Sequence, residues 1–144
     1  MEKEKLLVSA CFVSDGFKYN GGSNYNIDIL RLEEKYEFVL ICPEVFGGLS
    51  VPRLPSEISG DKVISSSGAD VTYEFNKGAL KALEIAKMNN CKKALLKAKS
   101  PSCGKNKIYD GTFTHTIREG NGITVSLLEE NGIEVFTEEE LYKL

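Results

Sequence analysis

The chain has 144 residues, and its 18 basic against 21 acidic side chains give a formal net charge of −3. This length and a hydrophobic fraction of 42% suit one domain with one core, residues 1–144, which excludes a disordered chain. No apolar run approaches the roughly 20 residues that a membrane helix needs. The acidic balance disfavours nucleic-acid binding, which requires a basic face.

The amino terminus lacks the features of a signal peptide, because residues 1–5 hold two acids and lead directly into an apolar run. We therefore expect a cytoplasmic protein whose thiols stay reduced. Its four cysteines are then metal ligands, catalytic groups or buried residues rather than two disulfides. They are Cys11, Cys42, Cys91 and Cys103.

Apolar runs and turn residues divide the first third of the chain. The predicted elements are a buried strand at 6–11, a helix from about 24 to 35 and a second buried strand at 38–42. Ser23 or Asn24 is expected to cap the helix, whose apolar positions include Ile27 and Leu30. Near-continuous apolar strands of this kind suit a parallel sheet that is covered on both faces.

Residues 43–68 are predicted to form a long connection. Its turns are marked by a pair of glycines and by prolines, and residues 62–64 predict one arm of a small hairpin. Loops beyond roughly 12–15 residues in compact domains are usually functional.

The second half of the chain continues the alternation of strands and helices. Asp70 or Thr72 is expected to cap a long helix, whose predicted buried face is Phe75, Ala79, Ala82, Leu83 and Ala86. The further elements are a strand at 93–98, a helix over 123–128 that Gly132 closes, a strand at 133–136 and a terminal turn with a capping box of Thr137 and Glu140. The order predicts a single-domain, three-layer α/β fold with a mainly parallel, Rossmann-like sheet.

Three cysteines follow the carboxyl ends of predicted strands. Cys11 and Cys42 end the first two, and Cys103 lies just past the third. Ligands bind outside the carboxyl ends of the strands in open α/β sheets, so these thiols are expected to converge on one edge. Cys91 lies at the start of a strand, hence at the opposite edge, and is expected to pack as a small hydrophobe.

Convergent thiols are open to several interpretations. One interpretation is that they are inert core residues. Another is that they bind zinc, but a structural zinc site needs four ligands. The only histidine, His115, lies in a polar loop and is expected to be exposed rather than the missing ligand. Three thiolates also hold a four-iron cluster with one open, Lewis-acidic iron. A cysteine–histidine nucleophile is disfavoured, since no histidine is expected at this edge.

Six sequence blocks run in order along almost the whole chain. They are Val-Ser-Ala-Cys at 8–11, Tyr-Asn-Gly at 19–21, Cys-Pro-Glu-Val-Phe-Gly-Gly-Leu at 42–49, Pro-Arg at 52–53, Lys-Ser-Pro-Ser-Cys-Gly at 99–104 and Tyr-Asp-Gly-Thr-Phe at 109–113. Together they resemble the DUF523 family, which includes thiouracil desulfidases.

The resemblance implies a [4Fe-4S] cluster on three cysteines, which match Cys11, Cys42 and Cys103. The fourth iron then takes the sulfur of a small thiolated pyrimidine. In the implied non-redox reaction, 2- or 4-thiouracil becomes uracil and sulfide. One residue departs from the family pattern, since Phe17 stands where many members have a further cysteine.

Glu44 and Ser100 look like the proton-handling pair of the family. Glu44, two residues past a ligand, is placed to activate water; its alternative role is to cap backbone N–H groups of the following turn. Ser100 relays a proton or orients the substrate, or it is an ordinary turn hydroxyl before Pro101. Ser102 is the second candidate serine.

Two further features flank the expected site. Arg53 lies between prolines and is expected either to contact substrate or to form a salt bridge, with Glu57 as the candidate partner. Residues 109–111 either close over the site or form a plain β-turn.

Three functions remain open from sequence. The first is desulfuration of a thiolated pyrimidine, the second is sulfur transfer in tRNA thiolation, and the third is a non-catalytic cluster- or metal-binding module. The acidic charge disfavours RNA as a partner. Glu44 beside Cys42 favours catalysis over storage.

Overall fold

The computed structural model describes residues 3–13, 19–22 and 24–144. Phe17 and Ser23 lie outside this part of the chain. The strands are β1 (Glu4–Ser9), β2 (Tyr36–Ile41), β3 (Ser56–Ser59), β4 (Lys62–Ser65), β5 (Lys93–Leu96), β6 (Lys107–Tyr109), β7 (Ile117–Glu119) and β8 (Glu134–Thr137). The α-helices are α1 (Ile27–Leu30), α2 (Pro43–Phe46), α3 (Thr72–Met88) and α4 (Ile123–Glu130).

Four strands form the central sheet in the order β2-β1-β5-β8, and every neighbouring pair is parallel. The central strand β1 carries Leu6, Leu7 and Val8, which are completely buried. Such a run fits a strand that is covered on both faces. The prediction of an α/β fold with a mainly parallel sheet is confirmed.

A separate apolar layer covers each face of the sheet. On one face Leu7 and Leu96 pack with side chains of α3 and α4. On the other face Leu6 and Leu95 pack with Ile29 and with the C-terminal segment. That segment is a 3₁₀ stretch, Glu138–Lys143, which begins with the predicted capping box of Thr137 and Glu140.

Helix α3 has the predicted end and buried face, but its N-cap is Val71, without a side-chain hydrogen bond, rather than Asp70 or Thr72. It begins at Thr72, whose backbone N–H donates to Asp70 Oδ1 at 2.9 Å, and Asn89 follows its last residue. All five predicted face residues are buried. Among the described residues, no helix is long and apolar enough to cross a membrane.

The first predicted helix is shorter than expected, and Asn24 does not cap it. Asn26 is the N-cap, and its side chain accepts from the backbone N–H groups of Asp28 and Ile29. After one turn the chain continues as a 3₁₀ helix, Arg31–Glu34. Ile27 is 59% exposed, because this turn buries Ile29 instead.

Two antiparallel hairpins extend the fold beyond the parallel sheet. The β3–β4 hairpin contains the predicted arm, whereas the β6–β7 hairpin was not predicted from sequence. The hairpins and α3 share a small core, formed by Ile58, Val63, Phe75 and Ile108.

Helices α2 and α3 cross at two glycines. A Cβ atom on Gly78 would overlap the carbonyl of Pro43, and one on Gly47 would overlap the carbonyl of Glu74. The backbones therefore approach as closely as glycine permits. This contact fixes α2, which immediately follows Cys42.

Candidate active site

Three of the four cysteines line one cavity of about 680 Å³ at the carboxyl edge of the sheet. Cys11 lies in the 3₁₀ turn after β1, Cys42 directly follows β2, and Cys103 follows β5 after a tight turn. Cys91 is instead buried in the core between the sheet and its helices. The strand order therefore brings together the three thiols that the sequence grouped.

Each of these three sulfur atoms accepts a hydrogen bond. Asn24 Nδ2 donates to Cys11 Sγ at 3.2 Å. The backbone N–H of Val45, in the first turn of α2, donates to Cys42, and the Ser9 hydroxyl donates to Cys103. Within the part of the chain that the structure describes, no such donor contributes at Cys91. Donors of this kind stabilise a thiolate.

Burial of the sulfurs opposes the effect of these donors on the thiol pKa values. It is the largest influence on the pKa of each of Cys11, Cys42 and Cys103, and it raises all three above the ordinary thiol value. The negative charge of Cys42 raises the pKa values of Cys11 and Cys103 further, and that of Cys11 also raises the pKa of Cys103. Because a bound metal deprotonates its thiol ligands outright, positive charge in the cavity would stabilise this group of sulfurs.

The donor set decides which metal group suits the cavity. In residues 3–13, 19–22 and 24–144, no three His, Cys, Asp or Glu side chains meet around a single metal ion. A four-iron cluster is larger than one ion, and cysteine thiolates are its ordinary ligands. Three hydrogen-bonded thiols around a shared cavity fit such a cluster.

Glu44 lines the same cavity from the first turn of α2. Its Oε1 lies 3.3 Å from Nε of Arg53, whose side chain is only 7% exposed. Burial raises the pKa of Glu44, while the charge of Arg53 and its hydrogen bond oppose that shift. The predicted Arg53–Glu57 pair is therefore wrong. Glu57 instead accepts backbone N–H groups of the β6–β7 loop.

The two candidate serines differ in position. Ser100 lines the cavity, and its Oγ accepts from the backbone N–H groups of Ser102 and Cys103, both at 3.1 Å. Ser102 is completely buried, and its Oγ lies 2.7 Å from Thr124 Oγ1. Of these two serines, only Ser100 therefore lines the cavity together with Glu44 and the three sulfurs.

Aromatic side chains also line this cavity. Tyr19, Tyr109, Phe113 and His115 line it. His115 is exposed as predicted, and its ring stands edge-on to Tyr109 at 6.2 Å between centroids. The expectation that no histidine lies at this edge is wrong, because the β6–β7 loop brings His115 to the cavity that the three sulfurs share. Tyr109 and Phe113 of this segment thus lie at the cavity, while closure of residues 109–111 over the site stays a prediction.

A model of the 2-thiouracil desulfurase family matches residues 6–140. The chain belongs to this family. YbbK of Bacillus subtilis (strain 168) is 39% identical over 146 residues, covering 94% of this chain and 97% of that protein. A solved structure of the [4Fe-4S]-dependent thiouracil desulfidase TudS is 42% identical, with a TM-score of 0.90 over 99% of this chain and 95% of the other. The resemblance to the DUF523 family is confirmed.

Sequence reasoning missed a second charged pair in this family member. Lys97 lines the cavity, and its Nζ lies 2.7 Å from Glu138 Oε2. The other oxygen of Glu138 accepts the backbone N–H of Ala98 at 2.7 Å. Glu138 lies about 40 residues further along the chain than Ala98, so no local sequence motif could predict this contact.

Proposed function

We propose that this protein is a [4Fe-4S]-dependent thiouracil desulfidase. It replaces the C=S group of a thiolated pyrimidine with C=O, without a redox change. The oxygen of water becomes the carbonyl oxygen, and its two protons leave with the sulfur as hydrogen sulfide. The observation that carries this proposal is the set of three hydrogen-bonded thiols beside Glu44 and Ser100, in a member of the 2-thiouracil desulfurase family.

Cys11, Cys42 and Cys103 would hold the cluster. Bound through three cysteines, a [4Fe-4S] cluster supplies one open iron that acts as a Lewis acid toward the thiocarbonyl sulfur. Asn24, Val45 and Ser9 support the ligands through their hydrogen bonds to sulfur. We place the reaction in the cytoplasm, because the cysteine ligands must stay reduced.

Glu44 and Ser100 handle protons in the proposed reaction. Glu44 takes a proton from water as the water attacks the ring carbon, and Arg53 fixes the carboxylate. Two backbone N–H groups occupy the acceptor sites of the Ser100 hydroxyl, which leaves donation as its remaining capacity. It is therefore suited to donate a proton toward the substrate.

Anaerobic purification, cluster reconstitution and incubation with 2- and 4-thiouracil test the function. We expect a brown protein that releases uracil and sulfide in equal amounts. Colourless protein without iron after reconstitution would contradict the proposal. So would loaded protein that releases no sulfide but forms thiolated tRNA from added tRNA, because that outcome identifies a sulfur transferase.

The four cysteines provide their own matched control. Cys11→Ala, Cys42→Ala and Cys103→Ala are each expected to lose the cluster, because each removes one of three ligands. Cys91→Ala is expected to keep wild-type iron and sulfide content, since its sulfur packs in the core. Iron analysis and the visible spectrum check this. Loss of the cluster from Cys91→Ala alone would refute the assignment of ligands.

Glu44→Gln separates catalysis from cluster binding. It preserves the size of the side chain and removes the base, so we expect full iron content and a turnover number lower by about 100-fold or more. Glu37→Gln, on the exposed part of β2, is the control and is expected to match the wild type. Turnover by Glu44→Gln at the wild-type rate would exclude the proposed base.

A further inference from the structure

The loop that joins β6 and β7 is polar yet internally ordered. The backbone N–H of Asp110 donates to the carbonyl of Thr116 at 2.9 Å, which closes the loop. Asp110 Oδ1 accepts from both the backbone N–H and the hydroxyl of Thr112. These bonds hold a segment that buries little apolar surface.

A buried carboxylate ties this loop to the β3–β4 hairpin. Glu57, on β3, is 8% exposed, and its Oε1 accepts the backbone N–H groups of Gly111 at 3.0 Å and Phe113 at 3.2 Å. In the described residues, no lysine or arginine forms an ion pair with it. Gly111 packs so closely that a Cβ atom would lie 2.8 Å from the carbonyl of Ile58. Burying a carboxylate is unfavourable unless its hydrogen bonds compensate, so this contact specifies the loop conformation.

The loop holds two side chains at the cavity in an uncommon backbone conformation. Phe113 and His115 have φ values of 58° and 59°, in the left-handed region that bulky residues rarely adopt. Both line the cavity that the three sulfurs share. Strain of this kind persists where the surrounding structure imposes it.

We propose that Glu57 is a positioning residue that fixes Phe113 as the stacking platform for the flat ring of the substrate. This inference rests on the proposed function and adds the residue that sets affinity for a planar heteroaromatic ring. Phe113 acts on binding, whereas the sulfurs, Glu44 and Ser100 act on the reacting bond. Aromatic side chains stack on any base, since every base has a π-face.

Three substitutions of Phe113 test the platform. Phe113→Ala and Phe113→Leu should raise KM for 2-thiouracil about tenfold or more, the factor that base–aromatic stacking supplies, with kcat within about twofold of wild type. Phe113→Tyr should restore KM, because it returns an aromatic face. Wild-type KM in the leucine variant would overturn the stacking role.

Two substitutions of Glu57 test the positioning. Glu57→Ala should raise KM as Phe113→Ala does, and the double variant should be no worse than Phe113→Ala alone, because Glu57 acts through Phe113. Glu57→Gln keeps an acceptor oxygen and should rescue most of the effect. Glu119→Ala, which removes an exposed carboxylate from the β6–β7 hairpin that carries Phe113, is the control. Additive losses in the double variant would overturn the inference.

Hydrogen exchange supplies a readout that does not depend on turnover. The amides of Gly111 and Phe113 should exchange much faster in Glu57→Ala than in wild type, while Glu57→Gln keeps their protection. Equilibrium dialysis with 2-thiouracil should show the same order of affinities. If wild-type protein releases no sulfide, the proposed function fails, but unchanged exchange or unchanged ligand affinity in Glu57→Ala is what refutes the role of Glu57.

Discussion

The three sulfurs at the cavity differ from Cys91 in their surroundings. Each receives a hydrogen-bond donor: the Asn24 side chain for Cys11, the amide of Val45 in the adjoining helix for Cys42, and the Ser9 hydroxyl, from a strand distant in sequence, for Cys103. The Ser9 oxygen also accepts the backbone N–H of Lys97, which joins the ends of β1 and β5. The Ser9 hydroxyl thus contacts both a neighbouring strand end and one proposed ligand.

The positions of the cysteines could be predicted from strand ends, but their donors could not. Asn24 lies 13 residues from Cys11 in sequence, and its predicted use was a helix cap. The side chain of Arg53 likewise meets Glu44 rather than Glu57. Such partners depend on where loops cross, which periodicity does not encode.

Glu138 connects the C-terminal segment to the wall of the cavity. Glu138→Ala leaves the Lys97 ammonium and the Ala98 N–H without their carboxylate, so we expect unfolding to require about 2 kcal/mol less free energy. Urea denaturation of the cluster-free protein measures this. Glu139→Ala, whose side chain is exposed, should stay within about 0.5 kcal/mol of wild type. Equal stability of the two variants would contradict this role.

The contact between α2 and α3 connects the packed core to the residues of the site. Helix α2 has a single turn and cannot hold its position alone. Its contact with α3 at Gly47 and Gly78 sets the direction in which Cys42 and Glu44 face. The long helix therefore positions one proposed ligand, Cys42, and one catalytic candidate, Glu44.

Gly78→Ala tests this crossing. The new methyl group would overlap the carbonyl of Pro43. That carbonyl is part of the backbone of α2, and the Cβ position is fixed by the backbone of α3, so neither can rotate away. We expect a loss of about 3 kcal/mol in stability and weaker retention of the proposed cluster, because Pro43 follows Cys42. Asn76→Ala, on the exposed side of α3, is the matched control. Thermal unfolding and iron content measure both effects, and a stable, fully loaded Gly78→Ala protein would disprove the argument.

Elements with strong periodicity were predictable and the β6–β7 hairpin was not. The five apolar positions of α3 and the continuous apolar run of β1 determine their own burial. The hairpin has a fully exposed strand, β7, and a threonine-rich loop, so alternation is absent. Its conformation depends on Glu57, about 50 residues earlier, and is a property of tertiary structure.

The parallel sheet unites segments that are far apart in the chain. Its strands come from residues 4–9, 36–41, 93–96 and 134–137, and the layers on its two faces have separate cores. The three proposed ligands follow three adjacent strands. A group bound to all of them would therefore link the sheet across its carboxyl edge.

Cluster loading should stabilise the folded protein, because the three ligands meet only in the native state. With free cofactor equivalent to about 100 times Kd, the gain is about 2.7 kcal/mol, or roughly 8–10 °C in Tm for a chain of this size. Anaerobic thermal unfolding with and without reconstitution measures it. Cys91→Ala should show the same increase and Cys103→Ala none; an increase in Cys103→Ala would argue against three-cysteine binding.

The strand order also dictates a sequence of events during synthesis. The middle strand of the three, β1, is made first, and its neighbours follow at residues 36 and 93. Until residue 103 has left the ribosome, the nascent chain carries only two of the three proposed ligands. A cluster that needs all three proposed ligands can therefore be bound only after this segment has been translated.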